Sequence, residues 1–148
     1  MKRITDYRKL FAITKDTDLA ELKLIYRNLI KEWHPDKFTD NETLRAEAEI
    51  KSKEIIEAYH FLVSISPETH ASKLEDYTLT ITNSGIDDFL YKGQTLKITF
   101  QDGSKYEYFG VPKNTYNKLI NSPNIARFAR RHIFGSFIYR NVFKPMPV

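Results

Sequence analysis

A small all-α domain followed by a small α+β domain is the architecture that this 148-residue sequence predicts. Three observations carry that expectation. Up to about residue 65 the apolar side chains recur at three- and four-residue spacing, the period of an amphipathic helix. From about residue 78 they alternate with polar ones, the period of a half-buried strand. Between these stretches, Ser64 to Asp76 holds few large apolar side chains and contains Pro67, which marks a connector. The expected division is therefore a helical domain over 1–66, a linker over 67–76 and an α+β domain over 77–148.

The helical half reads as an antiparallel hairpin with short helices beside it. Tyr7, Leu10 and Phe11 lie at helical spacing within Asp6 to Ile13 and predict a first short helix. Asp18, with Glu21 three positions on, predicts the start of a longer one, because a capping carboxylate accepts hydrogen bonds from the free amides of a first turn. Leu22, Ile25 and Leu29 then form one apolar stripe, and Lys23, Arg27 and Lys31 recur every four residues on another face. Pro35 ends this helix, since proline lacks an amide proton and disfavours helical geometry at His34. A second long helix is expected from about Leu44 to Val63, with Ala48, Ile55, Tyr59 and Leu62 turned toward the first stripe.

In the second half, Leu79 and Ile81 between threonines read as strand, as do Leu96, Ile98 and Phe100 between Thr95, Lys97 and Thr99. Asp102-Gly103 supplies a hairpin turn, with Lys105 to Phe109 as the return strand, and Lys92-Gly93 separates Phe89–Tyr91 from the strand near Leu96. An antiparallel meander of three or four strands results. Pro112 suits a first helical position, with Tyr116, Leu119 and Ile120 behind it, and Asn124 is placed to cap a second helix through His132.

Composition narrows the function classes. The chain has no cysteine, which excludes a disulfide framework and a Cys-ligated zinc site. Its first residues lack the apolar run of a secretory signal, and no apolar stretch approaches the roughly 20 residues that span a bilayer. A cytoplasmic protein without a membrane contact is the expectation. The four histidines, His34, His60, His70 and His132, fall on different elements, and no Gly-rich phosphate loop or metal-spaced cluster occurs. The chain therefore reads as a binding protein with no catalytic residue, no metal and no cofactor. The net charge of +4 is uneven: residues 1–66 carry twelve basic and twelve acidic side chains, and residues 67–148 eleven and seven. Glu107 is the last acid, and Lys113, Lys118, Arg127, Arg130, Arg131, Arg140 and Lys144 follow it.

The most specific element is helix, then Trp33-His34-Pro35-Asp36-Lys37, then helix. With Asp6-Tyr7 and Leu10 to Ile13 before it, Glu21-Leu22-Lys23 and Tyr26-Arg27 leading in, and Glu57-Ala58-Tyr59 with Leu62 after it, the segment from about 4 to 65 resembles the J domain of the DnaJ family. The resemblance implies a co-chaperone that binds a DnaK-type heat-shock chaperone and stimulates its ATP hydrolysis. It implies chaperone contacts by His34, Pro35 and Asp36 at the tip and by Lys23, Tyr26, Arg27 and Lys31 on the adjoining helix. Asp36 would offer an acceptor-only carboxylate to an arginine fork, and Pro35 would lower the ordering cost of docking. Three positions depart from the family pattern: Ala12 stands where glycine is usual, Asn28 where a basic residue is common, and Ser52 on a face usually apolar.

Residues 78 to about 142 are similar to a KTSC domain, on Asn83-Ser84-Gly85-Ile86, Leu96 to Phe100, Asp102-Gly103, Tyr106-Glu107-Tyr108, Val111-Pro112, Tyr116 and the segment from Ser122 to Ile133. That resemblance implies a targeting or substrate-binding module without defining its ligand. Lys113, Lys118, Arg127, Arg130, Arg131 and Arg140 form an acid-free basic set, and Tyr106 and Tyr108 share one strand face from which rings could stack on unpaired bases. The alternative function is thus an RNA-binding protein whose J domain recruits the chaperone. The competing account makes the tyrosines core and the arginines solvent cover. A protein client held by the same domain is a third reading, and the sequence leaves all three open.

Overall fold

The computed structural model of the chain describes residues 2–142. Lys144 of the basic set lies outside the described residues. The chain divides into two compact units, Lys2–His70 and a second from Ala71 onward.

In the first unit, α1 spans Lys2–Phe11, α2 Leu19–Trp33 and α3 Glu42–Ile65, with a 3-10 turn over Pro35–Phe38 between α2 and α3. Asp18 caps α2 by accepting from the Glu21 amide at 2.8 Å. Asn41 does the same for α3 through the Leu44 amide at 3.1 Å. Helices α2 and α3 run antiparallel: Ser52 meets Trp33 near one end, and Tyr59 stacks on Tyr26 further along, with ring centroids 4.0 Å apart. Their shared face is apolar because the stripe read from spacing points inward. Leu22, Ala48, Ile55, Ala58, Phe61 and Leu62 are all buried. Helix α1 lies over this seam, burying Ile4 and Phe11 and setting Tyr7 edge-on to Phe61 at 5.2 Å.

Helix α1 ends in a Schellman motif, in which the Ile13 amide donates to the Arg8 carbonyl and the Ala12 amide to that of Lys9. The motif needs a left-handed residue, and Ala12 has φ +54°. A Cβ in that conformation costs on the order of 1 kcal/mol that glycine avoids. Ala12→Gly is therefore expected to stabilise the unit by about 1 kcal/mol, read as a higher urea midpoint at unchanged slope. An unchanged or lower midpoint would contradict the strain.

Helix α4 (Pro67–Ser72) follows α3, and α5 runs from Leu74 to Asn83. The strand expected at Leu79 and Ile81 is thus a helix. Its period is 3.6 rather than 2: Tyr77 and Thr80 are buried, while Leu79 is 55% exposed. The alternation over residues 78–82 is too short to separate the two periods, and the deciding contacts come from sequence-distant partners. The Thr80 hydroxyl donates to Asp102 at 2.9 Å, and Tyr77 enters the core of the sheet.

The second unit holds a four-stranded antiparallel sheet in the order β1 (Ile86–Lys92), β2 (Thr95–Phe100), β3 (Lys105–Phe109), β4 (Ile138–Asn141). Gly93 and Gln94 both have positive φ, as a two-residue hairpin matched to strand twist requires. Helices α6 (Lys113–Ile120) and α7 (Ile125–His132) connect β3 to β4. Pro112 sits one residue before α6 with ψ 151°, as its cap rather than its first residue. Asn124 caps α7 through the Arg127 amide at 3.0 Å. Register puts Tyr106 opposite Ile98 and Tyr108 opposite Leu96. Those rows form the core face, joined by Val111, Leu119, Ala129, Ile133 and Phe134.

Three tyrosines make this core polar inside. Tyr77 donates to the Phe134 carbonyl at 3.2 Å and is 2.9 Å from the Tyr108 hydroxyl, so Tyr108 is the donor of that second bond. Burial, with smaller repulsions from Tyr139, Asp102 and Asp76, pushes the Tyr106 hydroxyl up to about 12. Burial pushes Tyr77 and Tyr108 upward as well. A raised folded value means that the unfolded chain releases these protons first, so the contribution is complete below pH 10 and is lost as pH climbs through about 12. Thermal melts of the full chain should fall steeply above pH 10 and stay flat just below it. A melting temperature indifferent to that interval would refute the coupling.

Candidate functional site

The tip of the α2–α3 hairpin is built so that its polar groups face outward. His34 leaves the helix with ψ 129°, the extended geometry that a residue before proline favours. Its Nδ1 accepts the Asp36 amide at 3.2 Å, capping the 3-10 turn, and the Lys37 amide donates back to the His34 carbonyl at 3.0 Å. The imidazole thus holds the turn by its own backbone, and Nδ1 carries no proton in that bond. The Asp36 side chain is 87% exposed and comes no nearer than 3.6 Å to the imidazole. Its carboxylate therefore does little for the fold and is free to accept from a partner.

Ser52 explains one of the departures noted in the sequence. Its hydroxyl donates to the Trp33 carbonyl at 2.8 Å, one of the carbonyls that a helix end leaves without an intrahelical partner. The Lys51 ammonium lies 5.9 Å from the centre of the Trp33 ring. Helix α3 thereby grips the last residue of α2 immediately before the turn.

Lys23, Arg27 and Lys31 are exposed along α2, and among the described residues none of them lies within ion-pair distance of a carboxylate. Tyr26 is half-buried beneath them against Tyr59. The structure thus brings an exposed anion at a stiff turn together with an unneutralised cationic helix face.

The basic residues of the second unit sort differently. Lys113, Lys118, Arg127, Arg130 and Arg131 are exposed on α6 and α7. Arg140 instead pairs with Glu107 across β3 and β4 at 3.2 Å, with both side chains less than a fifth exposed. Tyr106 and Tyr108 are 5% and 0% exposed. Both tyrosines leave the set of candidate base-stacking residues, because the strand face they share is the one that α5, α6 and α7 cover. The aromatic groups that do reach the surface beside the arginines are Phe128 and His132, with ring centroids 4.6 Å apart. The available signal was that Phe128 and His132 are four apart, as are Arg127 and Arg131, since residues four apart lie on one face.

Among the described residues no group of three or more His, Asp or Glu side chains could hold a metal. No helix among them is long and apolar enough to cross a membrane.

A capped helical hairpin with His-Pro-Asp at its tip defines a J-type module, here followed by a sheet-and-helix unit in the same chain. The chain carries a DnaJ domain, matched over residues 6–69, and a KTSC domain, matched over residues 82–137. Residues of the helical half are similar to the chaperone protein DnaJ of Thermotoga sp. (strain RQ2), at 43% identity over 61 residues, 41% of this chain and 16% of that protein. Similarity to the chaperone protein DnaJ of Hydrogenobacter thermophilus (strain DSM 6534 / IAM 12695 / TK-6) is 44% over 59 residues, 40% and 15% of the two chains. With that of Mesomycoplasma hyopneumoniae (strain 232) it is 38% over 73 residues, 49% and 19%. The chain spans less than a fifth of the length of these relatives.

Proposed function

We propose that this protein is a co-chaperone: its DnaJ domain docks onto the ATPase domain of a DnaK-type chaperone and stimulates ATP hydrolysis, and its KTSC domain targets the pair or holds the substrate. The observation that carries the reading is the exposed Asp36 carboxylate on a turn fixed by His34 and Pro35, at the end of the helix whose Lys23–Arg27–Lys31 stripe has no ion-pair partner among the described residues. A fixed carboxylate suits bidentate capture by arginine, and exposed cations steer encounter with an acidic surface. The protein acts without a cofactor of its own and does no chemistry itself. His34 serves as the brace of the turn, with Asp36 as its contact group.

The test is single-turnover ATP hydrolysis by a DnaK-type chaperone with increasing amounts of the full chain. Saturable acceleration is expected, and no acceleration by a chain whose helical content is intact would overturn the reading. Arg27→Gln should slow association severalfold at about 50 mM salt and hardly at all at about 500 mM, where screening has already removed the attraction. Equal losses at both salts would assign Arg27 a short-range contact instead of steering.

A further inference from the structure

The surface of α7 is more specialised than a targeting role alone requires. Of the cations beyond Glu107, Lys113, Lys118, Arg127, Arg130 and Arg131 have no ion-pair partner among the described residues, and Glu107 itself is occupied by Arg140. Helix α7 lacks an acid in its first turn, where the helix dipole would favour one, and carries Arg127 there instead. Arg127 and Arg131 are four apart, a like-charge spacing that weakens an isolated helix by a few tenths of a kcal/mol. Arg130 and Arg131 in the last turn suit the dipole, but Arg127 in the first turn and its like-charge spacing to Arg131 do not, and an anionic partner would offset that local cost.

The same helix turn places flat rings between those charges. Arg127, Phe128, Arg131 and His132 line one open groove of about 340 Å³, and the two rings meet at 45°. His132 is exposed and Phe128 half-exposed. Guanidinium groups that neutralise phosphates, alternating with rings that offer π-faces, form a surface complementary to a strand whose bases are not already stacked on partners. A duplex would satisfy the arginines and leave the rings without bases to receive, while an acidic polypeptide would satisfy only the charge.

We infer that the Arg127–Phe128–Arg131–His132 groove of the KTSC domain binds single-stranded nucleic acid, with the arginines on phosphates and the Phe128–His132 pair stacked against bases. This site replaces the Tyr106 and Tyr108 platform, which the core absorbs, and it stands independently of the chaperone reading.

The experiment titrates the full chain into a fluorescein-labelled single-stranded oligonucleotide of mixed sequence, as RNA and as DNA, with a duplex of the same sequence and polyglutamate as competitors. Fluorescence anisotropy is read over a range of salt. The expected result is single-strand binding that both competitors displace poorly, with affinity falling steeply as salt rises. The double variant Arg127→Gln/Arg131→Gln should reduce the log–log salt slope by about 1.4, the share of two phosphates on a single strand. Phe128→Leu, which keeps apolar bulk against the core, should weaken binding about tenfold at an unchanged slope. His132→Gln reads the second ring at a position the core does not need. A tighter RNA or DNA arm identifies the sugar, and either supports the site. Equal binding of duplex and single strand, equal displacement by polyglutamate, an unaltered slope in the arginine variant, or no binding would each overturn it.

Discussion

Asp36→Asn should reduce chaperone stimulation by tenfold or more while leaving the helical hairpin as stable as before. The two halves of that expectation have separate physical grounds. The side chain is 87% exposed, and among the described residues the one side chain of ion-pairing type near it is the His34 ring, at 3.6 Å, so removing its charge takes little from the fold. The backbone amide of residue 36, which His34 Nδ1 caps, is unaffected by the substitution. An amide, in contrast, offers one acceptor oxygen and two donors in place of an acceptor-only carboxylate, so it cannot receive an arginine fork. Hydrogen bonds to charged groups are worth about 1.5–3 kcal/mol, which is roughly tenfold to a hundredfold in docking. The check is single-turnover hydrolysis with the variant beside a urea melt of the same preparation. Retained stimulation would remove Asp36 from the interface, and a lowered urea midpoint would show that the carboxylate serves the fold after all. His34→Gln is expected to lose stimulation by another route, since it removes the acceptor that braces the turn.

Tyr108→Ala should be the most damaging single change to the second unit. Tyr108 is fully buried at the middle of the sheet, between Leu96 on β2 and Tyr139 on β4, and its hydroxyl donates to Tyr77. Truncating a buried aromatic side chain costs about 3–5 kcal/mol, because the cavity collapses only in part. For a unit of this size each kcal/mol moves the melting temperature by about 4–8 °C, so a fall of roughly 12–40 °C is expected in a melt followed by tyrosine near-ultraviolet circular dichroism. Tyr108→Phe separates volume from hydrogen bonding. Tyr77 keeps its bond to the Phe134 carbonyl in that variant, so the loss should be only about 1 kcal/mol. Similar losses for the two variants would mean that the hydroxyl, and not the packed ring, holds the sheet to α5.

Much of the local structure in both units was legible because its signals are local. Asp18 and Asn124 cap the helices their positions suggest, and Pro35 ends α2 where backbone sterics require, since each event depends on residues within one turn. The departure at Ala12 was visible as a missing glycine, but its meaning required φ. Ser52 looked like a defect in an apolar face until its partner, the Trp33 carbonyl, was in view. The turn at the tip rests partly on neighbours in the chain, with His34 Nδ1 accepting from the Asp36 amide, and partly on α3, through the bond from Ser52 to the Trp33 carbonyl.

By itself the sequence determined the two classes of structure, the hairpin register set by apolar spacing, and the excess of cations after Glu107, because period, capping and charge are properties of short windows. Only the tertiary structure decided that residues 74–83 are helix, that β4 returns beside β3, that Arg140 is neutralised, and that Tyr106 and Tyr108 are buried while Phe128 is buried only in part and His132 is exposed. An alternating strand states that one face is buried without stating which partner buries it. That choice belongs to contacts between residues far apart in the chain, where the burial of Tyr77 against Tyr108 outweighs any local preference of α5.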